Sequence, residues 1–163
     1  MRAGEAALAA RLRVELEELE RVVRRAEHLL AKTQTQGDED YLDGVALNLH
    51  GFYAGVERIF EEIAREIDGS LPAGPEWHRD LLLQMSAEVA GTRPPVIDRT
   101  TRDCLDEYRG FRHVVRNVYT FNLRASRLQE LVADLPACYG ALARDLTTFC
   151  DFLDALATDE IHH

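Results

Sequence analysis

Lysine is nearly missing from this chain: Lys32 stands alone beside eighteen arginines. A skew of that kind matches a GC-rich coding bias as well as a choice of chemistry. Cysteine is scarce too, and Cys104, Cys138 and Cys150 form neither a CxxC pair nor an even set. Three reduced thiols in a cytoplasmic protein are therefore expected. No apolar run approaches the length of a bilayer, and Met1-Arg-Ala-Gly-Glu5 carries no signal-peptide pattern, so no membrane association is expected. Zinc-ligand spacing, a phosphate-loop glycine pattern and a nucleophile elbow are all lacking. The only Glu-x-x-His runs from Glu160 to His163 in the tail, where it cannot build a di-iron bundle site. No metal and no cofactor are expected. Nor is there an excess of positive charge: 29 acidic against 19 basic residues leave −10, which opposes broad, nonspecific duplex binding.

What is present is a chain of 163 residues, 46% hydrophobic and 29% charged, enough to bury a real core as one domain over 1–163. Apolar residues recur at helical spacing almost throughout, and no segment alternates as a strand. A first helix is expected from Gly4 to Lys32, striped by Leu8, Leu12, Leu16, Leu19, Val23 and Leu30, and broken by Thr33-Gln-Thr-Gln-Gly37. Asp38 or Asp40 caps a second, carrying Leu42, Val45, Leu49, Phe52, Val56, Ile59 and Ile63. Loops at Gly69-Ser-Leu-Pro-Ala-Gly-Pro75 and Gly91-Thr-Arg-Pro-Pro95 bound a third helix over Glu76–Ala90. Asp98 caps a fourth, which ends near Thr120. The last spans Arg124 to Thr158, with Pro136 near the start of its longer section. Short connections favour antiparallel neighbours, so the expected fold is all-α, an antiparallel up-and-down bundle of about five helices.

Against the acidic background, Arg109-Gly-Phe-Arg-His-Val-Val-Arg-Asn-Val-Tyr119 opens a run with no acidic residue as far as Gln129. With Arg112 at zero and about 100° per residue, Val114, Val118, Phe111, Cys104 and Val115 fall between about 200° and about 300°. Tyr119, Arg112, Arg116, Arg109, His113 and Asn117 fall from about 340° round to about 140°. The helix is therefore expected to bury one face and display the other, with Arg124 and Arg127 extending the charge. Arginines without carboxylate partners repel one another until an anion arrives, which favours an anion site over surface decoration. Elsewhere, Glu57-Arg58 reads as surface pairing, His50 as a hydrogen-bonded core or interface histidine, and Trp77-His78 as an anchor of the third helix. Gly51 and Gly55 read as a close helix approach.

Arg112-x4-Asn117-x-Tyr119 resembles the Arg-x4-His-x-Tyr motif of HepT proteins, the ribonuclease toxins among the helical HEPN domains. Tyr41-Leu-Asp-Gly-Val-Ala-Leu-Asn-Leu-His-Gly-Phe-Tyr-Ala-Gly-Val-Glu-Arg-Ile-Phe60 resembles their second helix, and the likeness runs from about Tyr41 to Leu156. It implies a homodimer with both motifs in one interfacial cleft, where RNA is cut without a metal ion. It also implies Arg112 on the scissile phosphate and a small nucleotidyltransferase antitoxin that adenylylates Tyr119. The clustered charge of Arg109, Arg116 and Arg124 offers further phosphate contacts. The chain departs from the family where the motif histidine belongs. Asn117 stands there, and His113 stands directly after the arginine, as if the two had exchanged places. The family's histidine serves acid–base chemistry on the 2′-hydroxyl. Asparagine cannot take a proton at neutral pH, so that role is expected of His113, one turn from Asn117. Arg112, His113 and Asn117 are thus the expected catalytic set. Two other readings stay open: a HEPN-derived module that binds RNA or nucleotide without cutting, and a helical assembly protein with an acidic partner.

Overall fold

The computed structural model describes residues 3–38, 40–117 and 124–161, with the backbone alone at 3, 113–117 and 160–161. Among them lie five helices and no strand beyond an isolated bridge between Val89 and Arg93: α1 (Ala3–Gln36), α2 (Asp40–Ile63), α3 (Trp77–Met85), α4 (Arg99–Asn117) and α5 (Ala125–Ile161). The expected helical bundle is observed. Helix α1 packs along both α2 and α5, α4 lies against α2 and α5, and the short α3 bridges α2 and α4. Every residue of the expected α1 and α2 stripes is buried. On α5, Leu128, Leu131, Leu135, Cys138, Leu142, Leu146, Phe149 and Leu153 complete the core, at the three- and four-residue spacing of one helix face. No described helix is long and apolar enough to cross a membrane.

Helix ends follow local chemistry. Gly37, at φ 66°, stops α1 by donating its N–H to Thr33 O at 3.0 Å. Asp38 rather than Asp40 caps α2, its Oδ1 accepting the Asp40 N–H at 2.9 Å. Asp98 caps α4 as expected, taking the Thr101 N–H at 2.8 Å. Two expectations are corrected. Helix α3 stops at Met85, five residues before Ala90, because Arg93 donates its guanidinium hydrogens to Gln84 O at 3.2 Å and Ala87 O at 2.8 Å. These bonds take carbonyls that a longer helix would have used itself. Pro136 lies inside α5, which runs unbroken on both sides of it. The proline is exposed, and α5 is held by its packed face, which outweighs one missing ladder bond.

The α1–α2 seam is close. A Cβ on Gly55 would lie 2.6 Å from Leu19 Cδ2 and one on Gly44 3.0 Å from Leu29 Cδ1, whereas one on Gly51 would meet nothing within 4 Å. The close approach is thus at Gly44 and Gly55, not Gly51. Beside it, burial and the facing carboxyl of Glu62 push the Glu15 carboxyl up to about 7. With both groups ionised, the buried Oε2 atoms of Glu15 and Glu62 have no donor among the described residues; a shared proton supplies one. A carboxyl raised on folding contributes stability that is full below its unfolded value and lost as pH rises through about 7. Glu15→Gln is therefore expected to melt above the wild type at pH 8, with the gap closing towards pH 5. Equal gaps at both values would refute the shared proton.

Candidate functional site

Helix α4 turns inward a face that includes Phe111, as anticipated, and reaches further round towards Arg112. The side chains of Val114 and Val115 lie outside the described residues, as does Val118 altogether. Among its described side chains, Thr101, Leu105, Tyr108 and Phe111 are buried. Leu105 and Tyr108 stand at about 20° and about 320° from Arg112, either side of it. Including them in the periodicity would have placed Arg112 at the edge of the core rather than on a displayed basic face. Its side chain retains only 19% exposure.

The carboxylate that receives it comes from α2. Glu57 is buried, with its side chain 4% exposed, so the expected surface pairing with Arg58 is corrected. It follows Tyr53 by one turn and precedes Phe60 by three residues, both fully buried, which places its Cβ on the core stripe. Glu57 Oε1 accepts a hydrogen bond from Arg112 Nη1. Glu57 Oε2 lies 2.5 Å from His78 Nδ1, at the start of α3. Nδ1 is also 2.8 Å from Arg112 Nη1. Because an ionised carboxylate can only accept, we assign the ring proton to Nδ1, donated to Glu57 Oε2. The Trp77 ring stacks on the imidazole with centroids 3.6 Å apart. One carboxylate thus ties α2, α3 and α4 together, and it holds an imidazole and a guanidinium side by side.

Two polar atoms near this junction are unsatisfied among the described residues. Arg112 Nε is buried with no hydrogen-bond partner, and so is the Tyr53 hydroxyl. Burial, followed by the charge of Glu57, pushes the Tyr53 phenol far up, so it stays neutral. A buried donor left without an acceptor costs about 1–3 kcal/mol, which an oxyanion reaching Arg112 Nε would recover.

The idea of an uncompensated arginine cluster is corrected in the same way. Arg109 Nε pairs with Asp106 Oδ1 at 2.6 Å, three residues back on its own helix. Arg127 pairs with Glu107 at 2.8 Å and Glu130 at 3.4 Å. The partners lie outside the acid-free run and reach it through helical spacing or packing. Arg124 is exposed directly before α5. His113, Arg116 and Asn117 belong to the backbone of α4, and their side chains lie outside the described residues, as does Tyr119 altogether. His50 is half-buried. Of the anticipated site residues, the structure therefore brings Arg112 and Arg109 to this corner. It adds Glu57 and His78, which sequence reasoning left out of the site. The phase of Glu57 within the α2 stripe was the available signal; for His78, preceded by a loop, there was none.

The cysteines require one more correction. Cys104 on α4 and Cys138 on α5 are joined by a disulfide, with Cα atoms 5.8 Å apart, and Cys150 alone is free and buried. The α4–α5 packing creates this proximity across 34 residues, which spacing in sequence does not reveal. Among the described residues no group of three His, Cys, Asp or Glu side chains is placed to hold a metal ion.

No curated protein and no solved structure matches the chain. One protein family does, described as HepT-like protein, over residues 44–153. The match takes in nearly all of α2, the Glu57–His78–Arg112 junction and most of α5. The chain belongs to the HepT-like proteins of the HEPN superfamily.

Proposed function

We propose that this protein is the ribonuclease toxin of a toxin–antitoxin pair, cutting RNA without a metal ion at a site where two copies meet. The observation that carries the reading is Arg112. It is the arginine of the family's motif, its Nη1 is fixed by buried Glu57, and its buried Nε has no acceptor among the described residues. A guanidinium held in place is suited to a phosphate oxygen, since little freedom is left to lose on binding. Arg109, Arg116 and Arg124 are the further phosphate contacts in this reading, and His113 and Asn117 accompany Arg112 along the motif helix. A small nucleotidyltransferase that adenylylates Tyr119 would silence the toxin by placing a phosphodiester among the same arginines.

Purified protein incubated with total RNA and EDTA is expected to cut it, and Arg112→Ala to lose about ten- to a hundredfold in rate, equivalent to about 1.5–3 kcal/mol. Arg112→Lys should restore little, because an ammonium lacks the fork that bonds Glu57 and an anion together. Melting curves of the variants separate lost chemistry from lost fold. Light scattering should give twice 18.4 kDa; a monomer that still cuts would remove the composite site. A second reading, RNA binding without cleavage, is favoured by Asn117, which cannot exchange a proton as the motif histidine would. RNA retained intact by the wild type would select it.

A further inference from the structure

We infer that His78, not a residue of the motif helix, is the proton-transferring catalytic residue of this site, with Glu57 as its positioning residue; the inference rests on the RNA-cleavage reading above. The motif position expected to hold histidine is Asn117, so a cleaving site needs its proton acceptor from elsewhere. The structure supplies an imidazole beside Arg112, with His78 Nδ1 2.8 Å from Arg112 Nη1.

The ring is arranged as a base must be. Nδ1–H donates to Glu57 Oε2 at 2.5 Å, which leaves the lone pair on Nε2. Nε2 has no hydrogen-bond partner among the described residues. The carboxylate behind Nδ1 orients the ring and fixes the tautomer. The groups facing the ring are Glu57 from α2, Trp77 from its own helix and Arg112 from α4. Since 23% of the His78 side chain is exposed against 4% for Glu57, the imidazole is the member of the pair that a substrate can reach.

RNA fits this pair by its own geometry. A 2′-hydroxyl and the phosphate it attacks belong to one nucleotide, so phosphate clamp and base must be near neighbours. As the 2′-oxygen attacks phosphorus, its proton passes to His78 Nε2. The O2′–P bond forms and the P–O5′ bond breaks. The leaving 5′-oxygen takes a proton from water, and the resulting hydroxide takes the proton from the imidazolium, which restores the ring. The products are a 2′,3′-cyclic phosphate and a 5′-hydroxyl end. DNA, without the 2′-hydroxyl, would be bound and not cut.

The test compares wild type, His78→Asn and His113→Ala on one single-stranded RNA in EDTA, with affinity for the all-deoxy oligonucleotide of the same sequence measured in parallel. The asparagine amide reproduces the Nδ1–H donated to Glu57, so the helix junction is kept and the base removed. The expected result is a loss of about 10²–10⁴-fold in rate for His78→Asn, with unchanged affinity and melting temperature and without the acid limb of the wild-type pH–rate profile. Glu57→Gln should lose less rate and shift that limb. Cleavage by His78→Asn at the wild-type rate, or a loss confined to His113→Ala, would overturn the assignment and leave the ribonuclease reading standing. Loss of rate together with affinity and melting temperature would make His78 structural and also overturn it. A wild type that binds RNA and never cuts it would end both readings.

Discussion

Asp68→Ala is expected to destabilise the protein by about 3–5 kcal/mol, as removing one partner of a buried ion pair does. The side chains of Arg93 and Asp68 are 0% and 3% exposed. Arg93 Nε and Nη2 donate to the two carboxylate oxygens at 2.6 and 2.8 Å, a parallel fork. Its remaining hydrogens go to Ala87 O, Pro94 O and Gln84 O, and Gln84 Nε2 donates to Asp68 Oδ2 at 2.7 Å. Without the carboxylate, a full positive charge stays buried on carbonyl oxygens alone. Urea denaturation measures the loss. The double variant Asp68→Ala, Arg93→Ala should cost less than the two single changes added, because each single change removes the same pair. A loss under about 1 kcal/mol for Asp68→Ala would show the pair to be open to water.

Reduction of the Cys104–Cys138 bridge is the other large effect. The bridge closes a loop over a separation of 34 residues, for which loop-closure entropy gives about 3–4 kcal/mol. Urea midpoints should fall when dithiothreitol is added to the wild type, and Cys104→Ser should show the reduced midpoint with or without it. Cys150→Ser should keep the response to reductant. Cys150 is buried, its thiol is pushed up by burial, and it lies on Ala9 O at 3.7 Å, away from the exchange chemistry that favours exposed thiolates. A wild type indifferent to reductant would refute the contribution.

What could be read in the sequence was local. The α1 and α2 stripes and the Asp98 cap each depend on residues within a few positions, where helical spacing and capping chemistry decide the outcome, although α1 runs to Gln36, past the expected end at Lys32. The junction partners could not be read so. Glu57 meets Arg112 across 55 residues and Arg93 meets Asp68 across 25, and no periodicity encodes which helices will adjoin. Arg112 was misplaced for a narrower reason. Leu105 and Tyr108 precede the basic stretch, and a wheel drawn mainly on the stretch itself loses the face they define. Cys104 and Cys138 failed the paired-motif test because their proximity belongs to the α4–α5 seam. The likeness of the Tyr41–Phe60 stretch to its family survived all of this, since a single helix carries it.

The end of α2 has a bearing on how the chain tolerates a change of length. Beyond Ile63 the helix widens into a π turn over Ala64–Asp68, closed by the Gly69 N–H on Ala64 O. Such a turn holds one residue more than an α-helical closure, so each side chain after it is rotated by about 100° from where an α-helix would put it. Asp68 meets the Arg93 fork from that phase. Deleting Ala64 or Ile67 closes the turn to ordinary α spacing and leaves the carboxylate in phase, whereas deleting one residue from the regular α-helix before Ile63 swings it by about 100° off the guanidinium. A few positions on, Leu71, Ala73 and Pro75 lie exposed in an irregular loop, where an added or lost residue alters only the path between two anchored helices. A one-residue loss is thus as damaging as a lost ion pair in the regular part of α2, and is absorbed both in the π turn and in the loop beyond Gly69.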